Sequence, residues 1–285
     1  MTVVVMIASE FWILLVAAFF ISSISGAFGI GGGTLTVPFL IFIGSLPGWP
    51  GKEAGLAHTA VAISLLTALF LSLSASTSNI ISRRIHFIPG LIVSSFSLPG
   101  SYLGVAISSS LGFNELALIF AFIVMITGFV GFFRKGKREE GQEAEDSRPR
   151  PTIGQILMYS ISGFFVGVLS ALTGLGGGVV LVPLFLWTLP GSKASEAVAT
   201  SSFCIVFSAF YGSVLYAFQE NMSPIPEPSL GHYYLPFAIP FAIGALLGGF
   251  SGAILKNKVQ GLHLKRGFAI VQILAGLAVI ARTLT

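Results

Sequence analysis

Long apolar runs without charged residues constrain this sequence more than any other feature. Seven stretches contain no Asp, Glu, Lys or Arg: residues 11–51, 54–82, 87–114, 116–133, 151–192, 197–219 and 233–255. A helix needs about 20 mainly apolar residues to cross the hydrocarbon core of a bilayer. The runs also lack the alternation of apolar and polar residues that outer-membrane barrel strands show. They therefore predict an all-α polytopic membrane protein.

A glycine-rich motif occurs twice, with a spacing of 145 residues. The first copy, GAFGIGGGTLTVPFL, covers residues 26–40, and the second, SALTGLGGGVVLVPLFLW, covers residues 170–187. Internal duplication is a common architecture of secondary transporters. We therefore predict a first transmembrane repeat, a charged linker and a second transmembrane repeat, with bounds 1–133, 134–152 and 153–285.

The basic residues predict how the two repeats are oriented. Lys and Arg concentrate in three connections, at 83–84, 134–150 and 256–266. Connections 109–113 and 219–231 contain neither residue type. The positive-inside rule places the basic connections, including the linker, in the cytoplasm and the other two outside. Segment 153–189 must then begin and end on the cytoplasmic side, and segment 7–45 must begin and end outside.

This assignment predicts two inverted-topology repeats. Each would contain a glycine-broken re-entrant or hairpin segment followed by three spanning helices, and both termini would be extracytoplasmic. A broken main chain at membrane depth is tolerated only where it is buried in protein or lines a watered cavity. The two breaks are therefore predicted to approach each other from opposite faces of the membrane.

The helices that follow the two breaks, predicted at 34–45 and 179–189, suit an anion. Their first N–H groups are free, and the positive end of the helix dipole points at the break. Glycine lets the main chain approach a ligand, and nearby hydroxyls donate hydrogen bonds without adding charge. The candidate substrate-binding residues are Gly29, Gly31, Gly32, Gly33, Thr34, His58, Thr59, Thr173, Gly174, Gly176, Gly177, Gly178, Thr200, Ser201 and Ser202. The glycine pairs 100/104, 163/167 and 244/248 are predicted instead to serve close helix packing.

His58 is the one ionisable side chain well inside an apolar run, and it is a candidate for proton coupling. The alternative is a neutral histidine that bonds a main-chain carbonyl. His86, His232 and His263 follow the ends of runs and are predicted to lie at the membrane interface. Four scattered histidines and a single cysteine predict neither a metal site nor a bound cofactor.

Three features of the sequence resemble the sulfite exporter TauE/SafE family of membrane permeases. They are the doubled G-x-G-G-G-x-x-x-V-P motif, the HT and TSS segments that follow its copies, and RRIHF at 83–87. The resemblance covers essentially the whole chain. It implies a secondary transporter that moves small anions, such as sulfite, organosulfonates or other sulfur-containing anions, across the cytoplasmic membrane. Its expected partners are a small anionic substrate, the lipid bilayer and a proton as the coupling ion, and no nucleic acid.

Two other functions remain open from the sequence. An anion channel would share the fold and lack coupling. An intramembrane enzyme would need a base or nucleophile constellation, but the runs contain no Asp and no H-E-x-x-H motif, so we predict that the protein is not an enzyme. The sequence also lacks a P-loop, which argues against direct use of ATP.

Overall fold

The computed structural model describes residues 2–28, 31–44, 56–133, 151–189, 194–219, 225, 228–255 and 262–284. These residues form ten α-helices and one two-stranded antiparallel sheet. The first five helices are α1 (Thr2–Phe28), α2 (Gly33–Ile43), α3 (Leu56–Ile81), α4 (Phe87–Ser110) and α5 (Phe113–Phe133). The others are α6 (Ile153–Thr173), α7 (Gly178–Thr188), α8 (Ala194–Phe218), α9 (Leu235–Leu255) and α10 (Leu262–Leu284). Strands β1 (Ser229–Leu230) and β2 (Tyr233–Tyr234) precede α9.

Within the described part of the chain, seven helices are long and apolar enough to cross a membrane: α1, α3, α4, α5, α6, α8 and α9. A helix pairs its own backbone N–H and C=O groups, which is why uncharged runs of this length become helices in lipid. The predicted fold class, an all-α polytopic membrane protein, is confirmed. Residues 134–150 of the predicted linker and Gly29 lie outside the described residues.

Two short helices, α2 and α7, begin directly after the glycines. Each has 11 residues, so each is about 16 Å long and too short to cross a bilayer. The Gln155 side-chain amide near the start of α6 donates a hydrogen bond to the Thr188 carbonyl oxygen at the end of α7, at 3.2 Å. The rings of Tyr159 and Phe185 lie 6.1 Å apart between the same two helices. The chain therefore turns back at the second group of glycines.

The packing of the helices repeats along the chain. Helix α1 packs along α9 while α6 packs along α4, and α3 packs on α9 while α8 packs on α4. The two contacts of each pair are related by a shift of five in the helix numbers, so that α1 corresponds to α6, α3 to α8 and α4 to α9. Helices α3 and α8 pack against each other, as do α5 and α10. The same set of neighbours is therefore built twice.

Glycines allow the exchanged helices to approach closely. A Cβ atom on Gly100 of α4 would lie 2.9 Å from the Phe164 carbonyl carbon of α6, and one on Gly167 would lie 2.8 Å from the Ser101 amide nitrogen. A Cβ atom on Gly248 of α9 would lie 2.6 Å from the Phe19 carbonyl oxygen of α1. These contacts agree with the packing role predicted for the glycine pairs.

Candidate functional site

The two glycine segments lie against each other in the interior of the structure. A Cβ atom on Gly31 would lie 2.5 Å from the Leu175 carbonyl oxygen, and one on Gly33 would lie 2.6 Å from the Leu175 Cα atom. The Cα atom of Gly176 is 3.7 Å from the Cβ position of Gly31. Two main chains separated by 145 residues in sequence therefore touch without side chains between them. The two breaks meet as predicted, and the membrane face from which each one enters stays a prediction.

The backbone conformation explains why these loops need glycine. Gly31, Gly174, Gly176 and Gly177 have φ angles of +83°, +73°, +74° and +76°. Residues with a Cβ atom adopt this left-handed region only at a cost of roughly 1–2 kcal/mol. Gly32 differs, because its φ angle of −67° is ordinary right-handed backbone. The two copies of the motif are therefore similar in sequence but not identical in conformation.

Helix α3 holds both loops in place. The Ser64 hydroxyl donates a hydrogen bond of 2.8 Å to the Gly174 carbonyl oxygen, which the turn leaves outside any helix. One turn later, Ala68 packs against Gly176, and Thr67 packs against Gly32. The sequence analysis missed Ser64 and Thr67. The available signal was their spacing of three residues inside an uncharged run, which places them on one helix face.

The first turns of α2 and α7 begin at this contact. The first N–H groups of any helix have no acceptor within the helix. The N-cap residues here are Gly32 and Gly177, and no side chain among the described residues caps either helix. Gly33, Thr34 and Gly178 are buried. Buried N–H groups with the positive end of a helix dipole behind them are suited to bind an anion.

Four of the buried hydroxyls that lack a hydrogen-bond partner within the described ranges are candidates for binding a ligand. They belong to Ser25, Thr34, Ser170 and Ser201, and each of these residues is 0% exposed. Ser25 and Ser170 occupy matching positions in the two copies, at the ends of α1 and α6. A buried unpartnered hydroxyl costs about 1–3 kcal/mol, so a ligand that accepts from it gains a favourable bond. Neither Ser25 nor Ser170 was predicted, although their matching positions were visible in the sequence.

Other predicted hydroxyls are used by the protein itself. Thr173 donates to the Leu169 carbonyl oxygen at 2.5 Å, and Ser202 donates to the Val198 carbonyl oxygen at 2.8 Å. Thr200 accepts a hydrogen bond of 3.1 Å from the His86 backbone N–H. Of the predicted hydroxyl donors, Thr34 and Ser201 are therefore the two that are buried and unpartnered among the described residues.

His58 lies away from the glycine contact. It precedes Ser64 by six residues on α3, which is about 9 Å along the helix axis. Its Nε2 atom donates to the Ser108 carbonyl oxygen at 2.9 Å, which is the hydrogen bond that the structural alternative requires. The adjacent Thr59 is buried.

His232 was predicted to lie at the membrane interface, but its side chain is buried in the protein. Its ring lies 5.4 Å from that of His58 and 5.6 Å from that of Tyr216, measured between centroids. The tight turn between β1 and β2 folds it inward, and the His232 N–H donates to the Tyr216 carbonyl oxygen at 3.0 Å. Sequence could not place this turn on α8.

His86 forms a contact with the start of α8. Its Nε2 atom lies 2.9 Å from Glu196 Oε2, and its backbone N–H is bound by Thr200. Thr200 and His58 occupy matching positions in the two repeats, within the first two turns of α8 and α3. His86, in the connection before α4, therefore contacts the start of α8, and His232, in the connection before α9, contacts the start of α3.

The sequence model of the family described as Sulfite exporter TauE/SafE matches residues 14–279. A "Probable membrane transporter protein YunE" of Bacillus subtilis is 29% identical over 279 residues, covering 94% of this chain and 96% of the relative. A "Probable membrane transporter protein" of Haemophilus influenzae is 27% identical and covers 89% and 92%. A "Sulfite exporter TauE/SafE family protein 3" of Arabidopsis thaliana is 36% identical over 75 residues, 26% of this chain and 15% of the relative. No solved structure matches the chain.

Proposed function

The chain belongs to the sulfite exporter TauE/SafE family, and from this premise we propose that it moves small anions across the cytoplasmic membrane by alternating access. Its relatives are probable membrane transporters, and the chain is a multi-pass membrane transporter. Sulfite and organosulfonates are the proposed substrates, since the family description and one relative are named for sulfite export.

One observation carries the proposal that the substrate is an anion. The buried starts of α2 and α7 meet at the glycine contact, and no side chain of the described residues caps them. Thr34 lies in the first turn of α2 with a buried hydroxyl that has no partner in the described chain. N–H groups, a hydroxyl donor and a helix dipole all favour negative charge at the same point. No fixed cation is needed, which suits a ligand that has to leave again.

Glycines 31–33 and 174–178, with Thr34 and Ser201, form the central part of the proposed anion site. Thr59, Thr173, Thr200 and Ser202 belong to the wider predicted set, and their side chains are buried on helices that surround the contact. We add Ser25 and Ser170 to the set because their buried hydroxyls, like that of Thr34, have no hydrogen-bond partner within the described ranges. Main-chain and hydroxyl donors recognise an oxyanion by its oxygens.

Alternating access is proposed because the fold is doubled. Helices α1–α5 and α6–α10 make matching contacts, and each half contributes one glycine break and one short helix. Two inverted halves that exchange conformations would expose the shared contact first to one side and then to the other. The distribution of Lys and Arg supports this inversion, with the linker in the cytoplasm and both termini outside.

The proposal is tested by transport into proteoliposomes that contain the purified protein. Labelled sulfite, an alkanesulfonate and a carboxylate of similar size are offered separately, with and without an imposed proton gradient. We expect saturable uptake of sulfite or of the sulfonate, and accumulation above equilibrium when the gradient is present. Uptake that never exceeds equilibrium would favour an anion channel. Uptake equal to that of protein-free liposomes for every anion would contradict the proposal.

A further inference from the structure

His58 and His232 form a buried pair, although 174 residues separate them in sequence (232 − 58). His58 lies in the first turn of α3, and His232 lies in the turn between β1 and β2. Their ring centroids are 5.4 Å apart and the ring planes are inclined by 30°. The relative exposures of the two residues are 7% and 5%. We propose that the two imidazoles form a proton-binding site, and that a proton bound there favours a conformation in which the β1–β2 turn has moved away from α3.

A ring nitrogen of the pair, His232 Nδ1, is available to bind a proton. Because His58 Nε2 lies 2.9 Å from a carbonyl oxygen, it carries hydrogen and donates to Ser108. His232 Nδ1 is buried and has no hydrogen-bond partner among the residues that the structure describes. A proton added to His232 Nδ1 would therefore create a donor without an acceptor, next to a second imidazole. Movement of the turn into water would satisfy this donor.

No carboxylate of the described residues is hydrogen-bonded to this nitrogen. The Tyr216 hydroxyl of α8 lies 2.7 Å from Ser108 Oγ and 3.0 Å from the Ala171 carbonyl oxygen, and its single hydrogen is shared between these two acceptors. The Tyr233 hydroxyl of β2 donates to the Ser213 carbonyl oxygen at 3.1 Å. Other titratable groups on the neighbouring elements include Tyr234, Glu10 of α1, whose charge acts on Tyr234, and Glu115 of α5, whose carboxylate accepts from the Gly112 N–H. The neighbouring helices also contain Tyr102 of α4 and Glu196, Cys204 and Tyr211 of α8. Glu220 and Glu227, before β1, lie outside the described residues.

A set of hydrogen bonds joins the pair to the end of α6, three residues before Gly174. His58 binds the Ser108 carbonyl oxygen, and the Tyr216 hydroxyl is within hydrogen-bond distance of Ser108 Oγ and of the Ala171 carbonyl oxygen. Ala171 belongs to the last turn of α6, which ends at Thr173 next to Gly174. Displacement of His58 or Tyr216 therefore acts on the helix end that positions the second glycine loop. The coupling of this proton to anion movement rests on the transport function proposed above.

The direction of the pH effect follows from where the proton binds better. We call the arrangement in which the β1–β2 turn packs on α3 closed, and the one in which the turn has moved away open. In the closed arrangement burial, and then the charge of His58, lower the pKa of His232 from 6.5 to about 4. A histidine ring in water has a pKa of about 6.5. The closed arrangement is therefore fully favoured above pH 6.5, and it loses population to the open one as pH falls from 6.5 toward 4. Acidification from pH 7.5 to pH 5.5 shifts this equilibrium about tenfold toward the open arrangement.

Cysteine labelling tests the proton site without any anion. The single native cysteine is removed by Cys204→Ala, and Ser213→Cys then places a buried reporter on α8, at the residue whose carbonyl oxygen accepts from Tyr233. Ser110→Cys, in a separate protein, gives an exposed reference at the end of α4. The initial rate with a methanethiosulfonate reagent is measured at pH 7.5 and pH 5.5. The reference rate corrects for the effect of pH on the reagent and on an exposed thiol, and the histidine variants with the same reporter correct for the effect of pH on the buried thiol.

We expect the ratio of the reporter rate to the reference rate to rise about tenfold on acidification, and to lose that rise in His232→Gln and in His58→Gln. His86→Gln is the matched control, and it should retain the rise. A ratio that does not change with pH, or that rises equally in both pair variants, would overturn the proposal. Should one pair variant fail to fold, the other and the parent protein decide the result. Absence of anion transport in proteoliposomes would overturn the proposed function only, because labelling needs no substrate.

Discussion

Gly33→Ala tests the contact between the glycine segments most sharply. The new Cβ atom would lie 2.6 Å from the Leu175 Cα atom and closer still to the Gly174 carbonyl oxygen. Carbon atoms pack at about 3.5–4.0 Å, so the two main chains would have to separate by about 1 Å. Alanine is favoured over glycine inside a helix by about 1 kcal/mol, so any loss must come from this contact. We expect Gly33→Ala to lower the free energy of unfolding by about 1–3 kcal/mol and to abolish transport.

Two further alanine substitutions separate loss of stability from loss of function. A Cβ atom on Gly167 would lie 2.8 Å from the Ser101 amide nitrogen, a similar overlap located between α6 and α4. One on Gly154 would meet nothing within 4 Å. Thermal unfolding in detergent and uptake per inserted molecule are measured for all three variants. Gly167→Ala should be destabilised as much as Gly33→Ala yet still transport, and Gly154→Ala should resemble the wild type. Wild-type uptake by Gly33→Ala, or equal loss of uptake in Gly167→Ala, would refute the reasoning.

Two other predictions follow from the loops and from the topology. Gly177→Ala should destabilise the protein more than Gly32→Ala. Gly177 combines a φ angle of +76° with a close contact to Val166, whereas Gly32 has ordinary backbone angles. Equal unfolding midpoints of the two variants would contradict this prediction. In a protein without Cys204, a cysteine at Ser229 should react with an impermeant thiol reagent added outside the cell, and one at Ser147 should not. Labelling of Ser147→Cys from outside would contradict the inverted arrangement.

The glycine contact could be predicted from sequence because its cause is local. Four glycines within five residues, as at 29–33 and 174–178, strongly disfavour a continuous helix, and a break in an apolar run has to be buried. The short helices were predicted at 34–45 and 179–189 and are found at Gly33–Ile43 and Gly178–Thr188. Their ends agree within two residues, since the break fixes each start.

Whether each hydroxyl has a hydrogen-bond partner could not be predicted, because this depends on side-chain rotamers and on neighbours from distant parts of the chain. Thr173 and Ser202 turn back to carbonyl oxygens of their own helices, whereas Thr34 and Ser201 find no partner among the described residues. His58 was grouped with the break from its position in the chain. The register of α3 against the loops puts Ser64 there instead.

The KM for the transported anion in Thr34→Val and Thr36→Val tests the central claim most directly. Both threonines are 0% exposed on α2, but the Thr36 hydroxyl donates to the Gly32 carbonyl oxygen at 2.9 Å, whereas that of Thr34 has no partner in the described chain. A hydrogen bond to an ion contributes about 1.5–3 kcal/mol, so we expect Thr34→Val to raise KM by roughly tenfold to a hundredfold. Its stability should be unchanged or higher, because an unsatisfied buried hydroxyl is removed, and Thr36→Val should keep a KM close to that of the wild type. A wild-type KM in Thr34→Val would contradict the claim that the anion binds where the two glycine segments meet.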